Sequence, residues 1–109
     1  MDKLSLVALA RTELESARRA SSGRSATTVH GGHEKVLRQT VIALCAGRAT
    51  DAFESPGEAT VHVLTGRVAV RTDATTWEGS PGDLIIVPGS RSALHALEDS
   101  VVLFTVAKV

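Results

Sequence analysis

The side chains able to do chemistry are few, and most stand apart from one another. The 109-residue chain has four histidines, His30, His33, His62 and His95, and one cysteine, Cys45. A transition-metal site needs several such donors converging on one point. His30-Gly31-Gly32-His33-Glu34 has a spacing that a divalent cation can use, but it lies on a Gly-Gly loop that must fold over something to complete a site. The lone cysteine ends the apolar run Val41-Ile42-Ala43-Leu44-Cys45 and reads as a small core side chain. It excludes an internal disulfide and a zinc site built from several thiolates. Glu54 and Glu58 flank Ser55-Pro56-Gly57. Such a pair suits acid–base work, or a cation, only if both face one cavity, and turn-flanking acids are ordinarily solvated. Ser55 has no neighbouring base, and no Gly-x-Ser-x-Gly elbow occurs, which argues against serine hydrolysis. Gly79-Ser80-Pro81-Gly82-Asp83 is a turn without the lysine and helix of a phosphate-binding loop. There is no tyrosine and no asparagine, so no phenolic acid and no side-chain carboxamide except Gln39.

The elements that must carry these residues are one helix followed by short strands. Residues 5–20 read as the helix: Ser5 is the N-cap, and Leu6, Leu9, Ala10, Leu14, Ala17 and Ala20 fall on one stripe at 100° per residue. Glu13 interrupts that stripe. Ser21-Ser22-Gly23-Arg24 supplies the stop, with Gly23 at the C-cap region. β-type runs follow at 26–30, 36–46, 59–65, 67–71, 84–87, 92–97 and 101–106, separated by Gly, Pro, Ser and Asp turns. That rhythm predicts an antiparallel sandwich or barrel. In 67–71, Val68 and Val70 point inward and both arginines outward; 101–106 is apolar on both faces, as in a strand covered on both sides. Trp77 reads as a packing residue on a hairpin, or as an interface anchor.

Composition narrows the classes. Twelve basic and twelve acidic side chains cancel, which gives no electrostatic case for nucleic acid or an anionic membrane. Two phenylalanines and one tryptophan are too few for a base-stacking platform. No apolar run approaches a membrane span, and the N-terminal segment has acids among its apolar residues, unlike a secretory signal. A cytoplasmic protein is the default expectation. Residues 1–38 hold seven basic and four acidic side chains, and residues 72–100 one basic and five acidic. These regions attract, within one chain or across a dimer, unless both are simply solvated. The expected organisation is a helix and connection over 1–25 and one barrel over 26–109.

The stretch Gly47–Leu97 resembles the cupin family, small jelly-roll barrels. The family's first motif opens and closes on glycines, matched by Gly47 and Gly66; its second opens on glycine and carries a proline after a buried run, matched by Gly82 and Pro88. The resemblance implies an all-β cupin-type jelly roll with one N-terminal helix outside it, and a homodimer in which strand 26–30 is a candidate for exchange. In that family three histidines and a glutamate bind a metal. The matching positions here are Phe53, Ser55, Ala59 and Ala93; a longer spacer puts Thr60 at the glutamate position, and a one-residue slip puts Ser92 at the last histidine. None of these side chains rebuilds a divalent metal site.

The favoured expectation is therefore a protein without metal or other cofactor that binds a small, mostly apolar molecule in the barrel. Phe53, Ala59, Val61, Val63, Ala93 and His95 would line the chamber, with His95 its one polar group and Arg91 near the mouth to receive an anion. His95 enters that set because it shares strand parity with Ala93; His62 has the opposite parity to Ala59 and faces away. Two alternatives stand beside this. One is a metal enzyme of the oxygenase, isomerase or cyclase kind, rebuilt from His95 with His30 or His33. The other is a dimerising structural or regulatory module whose helix recruits a partner. No catalytic residue is assigned, and the ligand is not named by the sequence.

Overall fold

The structure, a computed structural model, describes residues 3–54 and 57–107. Helix α1 spans Leu6–Arg19. Ser5 is extended, and its Oγ accepts the Ala8 N–H at 3.2 Å, which satisfies one of the orphan donors of the first turn. Arg18 and Arg19 lie in the last turn, where positive charge suits the helix dipole. The chain leaves the helix at an extended Ala20, three residues before Gly23, which turns it toward the barrel with φ +68°.

Eight strands follow: β1 Arg24–His30, β2 Leu37–Leu44, β3 Glu58–Thr65, β4 Val68–Arg71, β5 Thr76–Gly79, β6 Leu84–Val87, β7 Ala93–Ala96 and β8 Ser100–Ala107. They form a large sheet in the order β1-β2-β8-β3-β6 and a small sheet in the order β5-β4-β7, with antiparallel neighbours throughout. Residues 47–53 extend the small sheet beyond β7: the Gly47, Thr50 and Phe53 N–H groups donate to the Ala96, Leu94 and Ser92 carbonyls at 2.7–2.9 Å. β5 was not among the runs read from the sequence. Only its alignment with β4 makes a strand of Thr76-Trp77-Glu78-Gly79. β1 pairs with β2 in antiparallel register.

The two sheets enclose one core. Leu44, Ala59, Val61, Val63, Val68, Val70, Ile85, Val87, Leu94, Ala96, Val102 and Val106 pack as a single buried cluster, with Ile42, Phe53 and Phe104 against it. Alternation explains which side chains enter: Val68 and Val70 point in while Arg67 and Arg71 point out, as the sequence predicted. β8 is covered on both faces, also as predicted. Its Val102, Phe104 and Val106 meet this core, and its Val101 and Leu103 meet a second cluster under α1. There Ala10 and Ala17 bring the helix close to Val41, Ala43 and Val101 on the outer face of the large sheet. Arg18 donates from Nε and Nη2 to Asp99 Oδ2 at 3.2 and 3.0 Å, so the basic N-terminal region meets the acidic C-terminal region within one chain. Among the described residues, no helix is long and apolar enough to cross a membrane.

Candidate functional site

The barrel end where the resemblance locates a metal is occupied by hydrocarbon. Phe53 comes from the extension of the small sheet and Phe104 from the inner face of β8; their rings meet edge-on with centroids 5.1 Å apart. Ala59 is buried beside them in the same core. Ser55 lies outside the described residues. Phe53 and Ser92 exchange backbone hydrogen bonds of 2.7 and 2.8 Å, which fixes the phase of the following strand. The polar side chain thereby turned inward is Ser92, which is buried and donates from Oγ to the Ser90 carbonyl at 3.0 Å.

That phase corrects the expectation for β7. Leu94 and Ala96 face the core, opposite Val70 and Val68; Ala93 and His95 therefore face outward. His95 lies opposite Ala69 on the outer face of the small sheet, where Arg71 Nη1 approaches His95 Nδ1 at 3.4 Å. Partial burial first, and the nearby Arg71 charge second, lower the His95 pKa below its ordinary value of 6.5. The neutral ring so favoured can accept a hydrogen bond from the Arg71 guanidinium at Nδ1. Arg67 pairs with Glu78 on the same face. Arg91 is exposed in the loop before Ser92.

The interior is also tighter than the chamber expected. Ala59, Val61 and Val63 do face inward, but Val61 and Val63 are 0% exposed, so no space that admits water touches them. Of the residues expected to line a ligand chamber, Phe53 alone faces the interior and keeps accessible surface beyond a few percent. The apolar interior reaches the surface instead at an open flank. A cavity of about 430 Å³ lies over Ala26, Ile42 and Leu44, on the inner side of β1 and β2, with Ser22, Arg24, Thr50 and Asp51 around it. Arg24 lies opposite Leu44 and reaches across this crevice: its Nη1 donates to the Ala49 carbonyl at 3.2 Å and lies 3.6 Å from Asp51. Sequence reasoning missed this flank. Its signal was the Arg24–Ala26–Thr28 alternation on a strand too far toward the edge for the three-stranded sheet to cover.

The remaining histidines do not converge. His30 ends β1, His33 lies in the turn after it, and His95 is on the other sheet's outer face. His62 faces away from the core as predicted, opposite Leu84 and Leu103. Among the described residues, no three His, Cys, Asp or Glu side chains are grouped to hold a metal ion. Among the described residues, the side chains at the family's metal positions do not fit a divalent transition metal either: a phenyl ring at Phe53, methyls at Ala59 and Ala93, and at neighbouring Ser92 a hydroxyl already committed to a carbonyl.

No family model matches the sequence, and no curated protein matches it. Solved structures do. A conserved protein of unknown function from Streptococcus pyogenes aligns with TM-score 0.73 and 28% identity over 83% of this chain and 78% of its own. A cupin superfamily protein from Desulfitobacterium hafniense aligns with TM-score 0.71 and 14% identity, over 79% of this chain and 78% of its own. An RmlC-like cupin protein from Desulfovibrio desulfuricans gives TM-score 0.68 and 20% identity, over 77% and 81%. With this strand order, the glycines closing its turns and these neighbours, the chain has the RmlC-like jelly-roll fold of the small cupins.

Proposed function

We propose that this chain is a metal-free cupin domain that binds a small, mostly apolar molecule, works as a homodimer and has no catalytic centre of its own. The observation that carries the reading is the Phe53–Phe104 pair packed against the core cluster that contains Ala59, which puts rings and methyl groups where metal ligands would stand. A filled lumen moves the ligand to the open flank. There Ala26, Ile42 and Leu44 give an apolar floor, and Thr50 and the Arg24 bridge give hydrogen-bonding groups at the rim. A volume of about 430 Å³ is in the range of small-ligand sites. The helix-recruitment alternative finds less support, because the small-residue stripe of α1 is spent on its own barrel.

Two measurements test this. Elemental analysis of protein purified without chelators and resupplied with iron, zinc, manganese and nickel should find well under a tenth of an equivalent. Full occupancy would overturn the metal-free reading. For the ligand site, 1-naphthol titrated into 15N-labelled protein should shift amides clustered at Ala26, Ile42, Leu44 and Thr50. Ala26→Trp, on an exposed position of the edge strand, should abolish those shifts while leaving the melting temperature unchanged. Unshifted amides at the flank, or shifts surviving Ala26→Trp, would remove the site.

A further inference from the structure

A second hollow lies on the opposite side of the large sheet, between α1 and the β3–β4 corner. Leu6, Val7, Ala10 and Leu14 of the helix and Leu64 of β3 form its walls, and its volume is about 400 Å³. Val7, a large apolar side chain, is 74% exposed at its rim. Three charged side chains also line it: Arg11, Arg18 and Asp99.

Their pairing decides what the hollow can take. Asp99 is saturated: Oδ2 receives Arg18, and Oδ1 receives the Ala46 N–H at 2.8 Å. Arg18 is thereby neutralised. Arg11 stands one turn after Val7 on the same helix face and has no ion-pair partner among the described residues. The hollow thus combines an aliphatic wall with one uncompensated guanidinium, whose planar fork matches a carboxylate. We infer that this groove binds a free, single-chain aliphatic carboxylate, its tail along Leu6, Leu14 and Leu64 and its head on Arg11. The site is independent of the flank crevice and shares no residue with it.

The test uses sodium octanoate and 1-octanol, each titrated into the full-length 15N-labelled chain below its aggregation concentration. Octanoate should shift amides from Leu6 to Arg18 and at Leu64 and Thr65. Arg11→Gln should weaken octanoate about tenfold, the scale of one charge-assisted hydrogen bond, and leave octanol unchanged. Val7→Glu, at an exposed position, should weaken octanoate by like-charge repulsion and serves if Arg11→Gln folds poorly. Equal weakening of both probes, octanoate binding insensitive to both variants, or no shift at the groove would overturn the inference. Octanoate shifts confined to Ala26, Ile42, Leu44 and Thr50 would also overturn it while supporting the flank site. Retention on anionic vesicles without octanoate binding would replace a free carboxylate with a membrane surface and count against it.

Discussion

Glu13 lies within the apolar stripe of α1 and is buried there, yet its two carboxyl oxygens are both used. Oε1 accepts from Ser25 Oγ at 2.6 Å and Oε2 from Thr27 Oγ1 at 2.8 Å. The residue that made the helix look imperfectly amphipathic is the polar clasp that holds it to β1. Glu13→Ala strands two partly buried hydroxyls and should cost about 2 kcal/mol in urea unfolding. An unchanged midpoint would show that water replaces the clasp freely. His95 makes a second residue-scale prediction. Its lowered pKa means that the unfolded chain binds the proton more readily. Its contribution to stability is therefore full above 6.5 and is lost as the pH falls from 6.5 toward the folded-state value. Asp99 acts in the same direction at much lower pH, because the Ala46 N–H first, and Arg18 next, hold its carboxyl below the ordinary 3.8. Arg71→Gln should raise the His95 pKa in an NMR titration, and a value that stays put would assign the shift to burial alone.

At the scale of elements, the turns were the most legible part of the chain because glycine has specific work in them. Gly47 and Gly66 both have positive φ, +83° and +81°, but they differ in surroundings. A Cβ at Gly66 would collide with the Asp99 carbonyl and Ser100 Oγ, where the β3–β4 corner crosses the start of β8; at Gly47 nothing lies within 4 Å. Gly66→Ala should therefore cost more than Gly47→Ala, which bears only the roughly 1–2 kcal/mol of left-handed strain. Equal melting temperatures for the two variants would contradict the crowding argument. Strand β7 was the least legible. In Ser92-Ala93-Leu94-His95-Ala96 the small and apolar residues fall on both parities, so composition does not choose a face. A one-residue slip exchanges every side chain between core and surface. The phase is set from outside the strand, by the Phe53–Ser92 hydrogen bonds and the pairing of Leu94 with Val70. The strand runs other than β5 could be read locally, and the inward Ala59, Val61 and Val63 followed from the motif resemblance; the His95 orientation depended on contacts between distant segments. The flank crevice arises the same way, from a five-stranded sheet wider than the three strands that cover it.

Across the whole molecule, α1 shields only part of the large sheet's outer face. It covers Val41, Ala43, Val101 and Leu103 and leaves the β3–β6 side open. β6 is the last strand of that sheet, and its outward residues Leu84 and Ile86 are 58% and 67% exposed. Thr60 and His62 lie beside them on β3, so the patch carries no charged neighbour in register. A short, uncharged, apolar edge invites open-ended strand association unless something covers it. A second copy related by a two-fold axis covers it in a closed way, because the same patch serves on both partners and no free β6 edge is left to propagate. Attraction between the oppositely charged regions of the chain is not needed for this, since Arg18 and Asp99 already meet within one copy. The expected outcome in sedimentation at tens of micromolar is a dimer, with Ile86→Lys shifting it to monomer while the circular dichroism and melting profile of each chain persist. A wild-type chain that sediments as a monomer would show that the edge is protected by its shortness alone. A dimer indifferent to Ile86→Lys would move the interface to another face, with half-exposed Trp77, at the free edge of the small sheet, the next position to test.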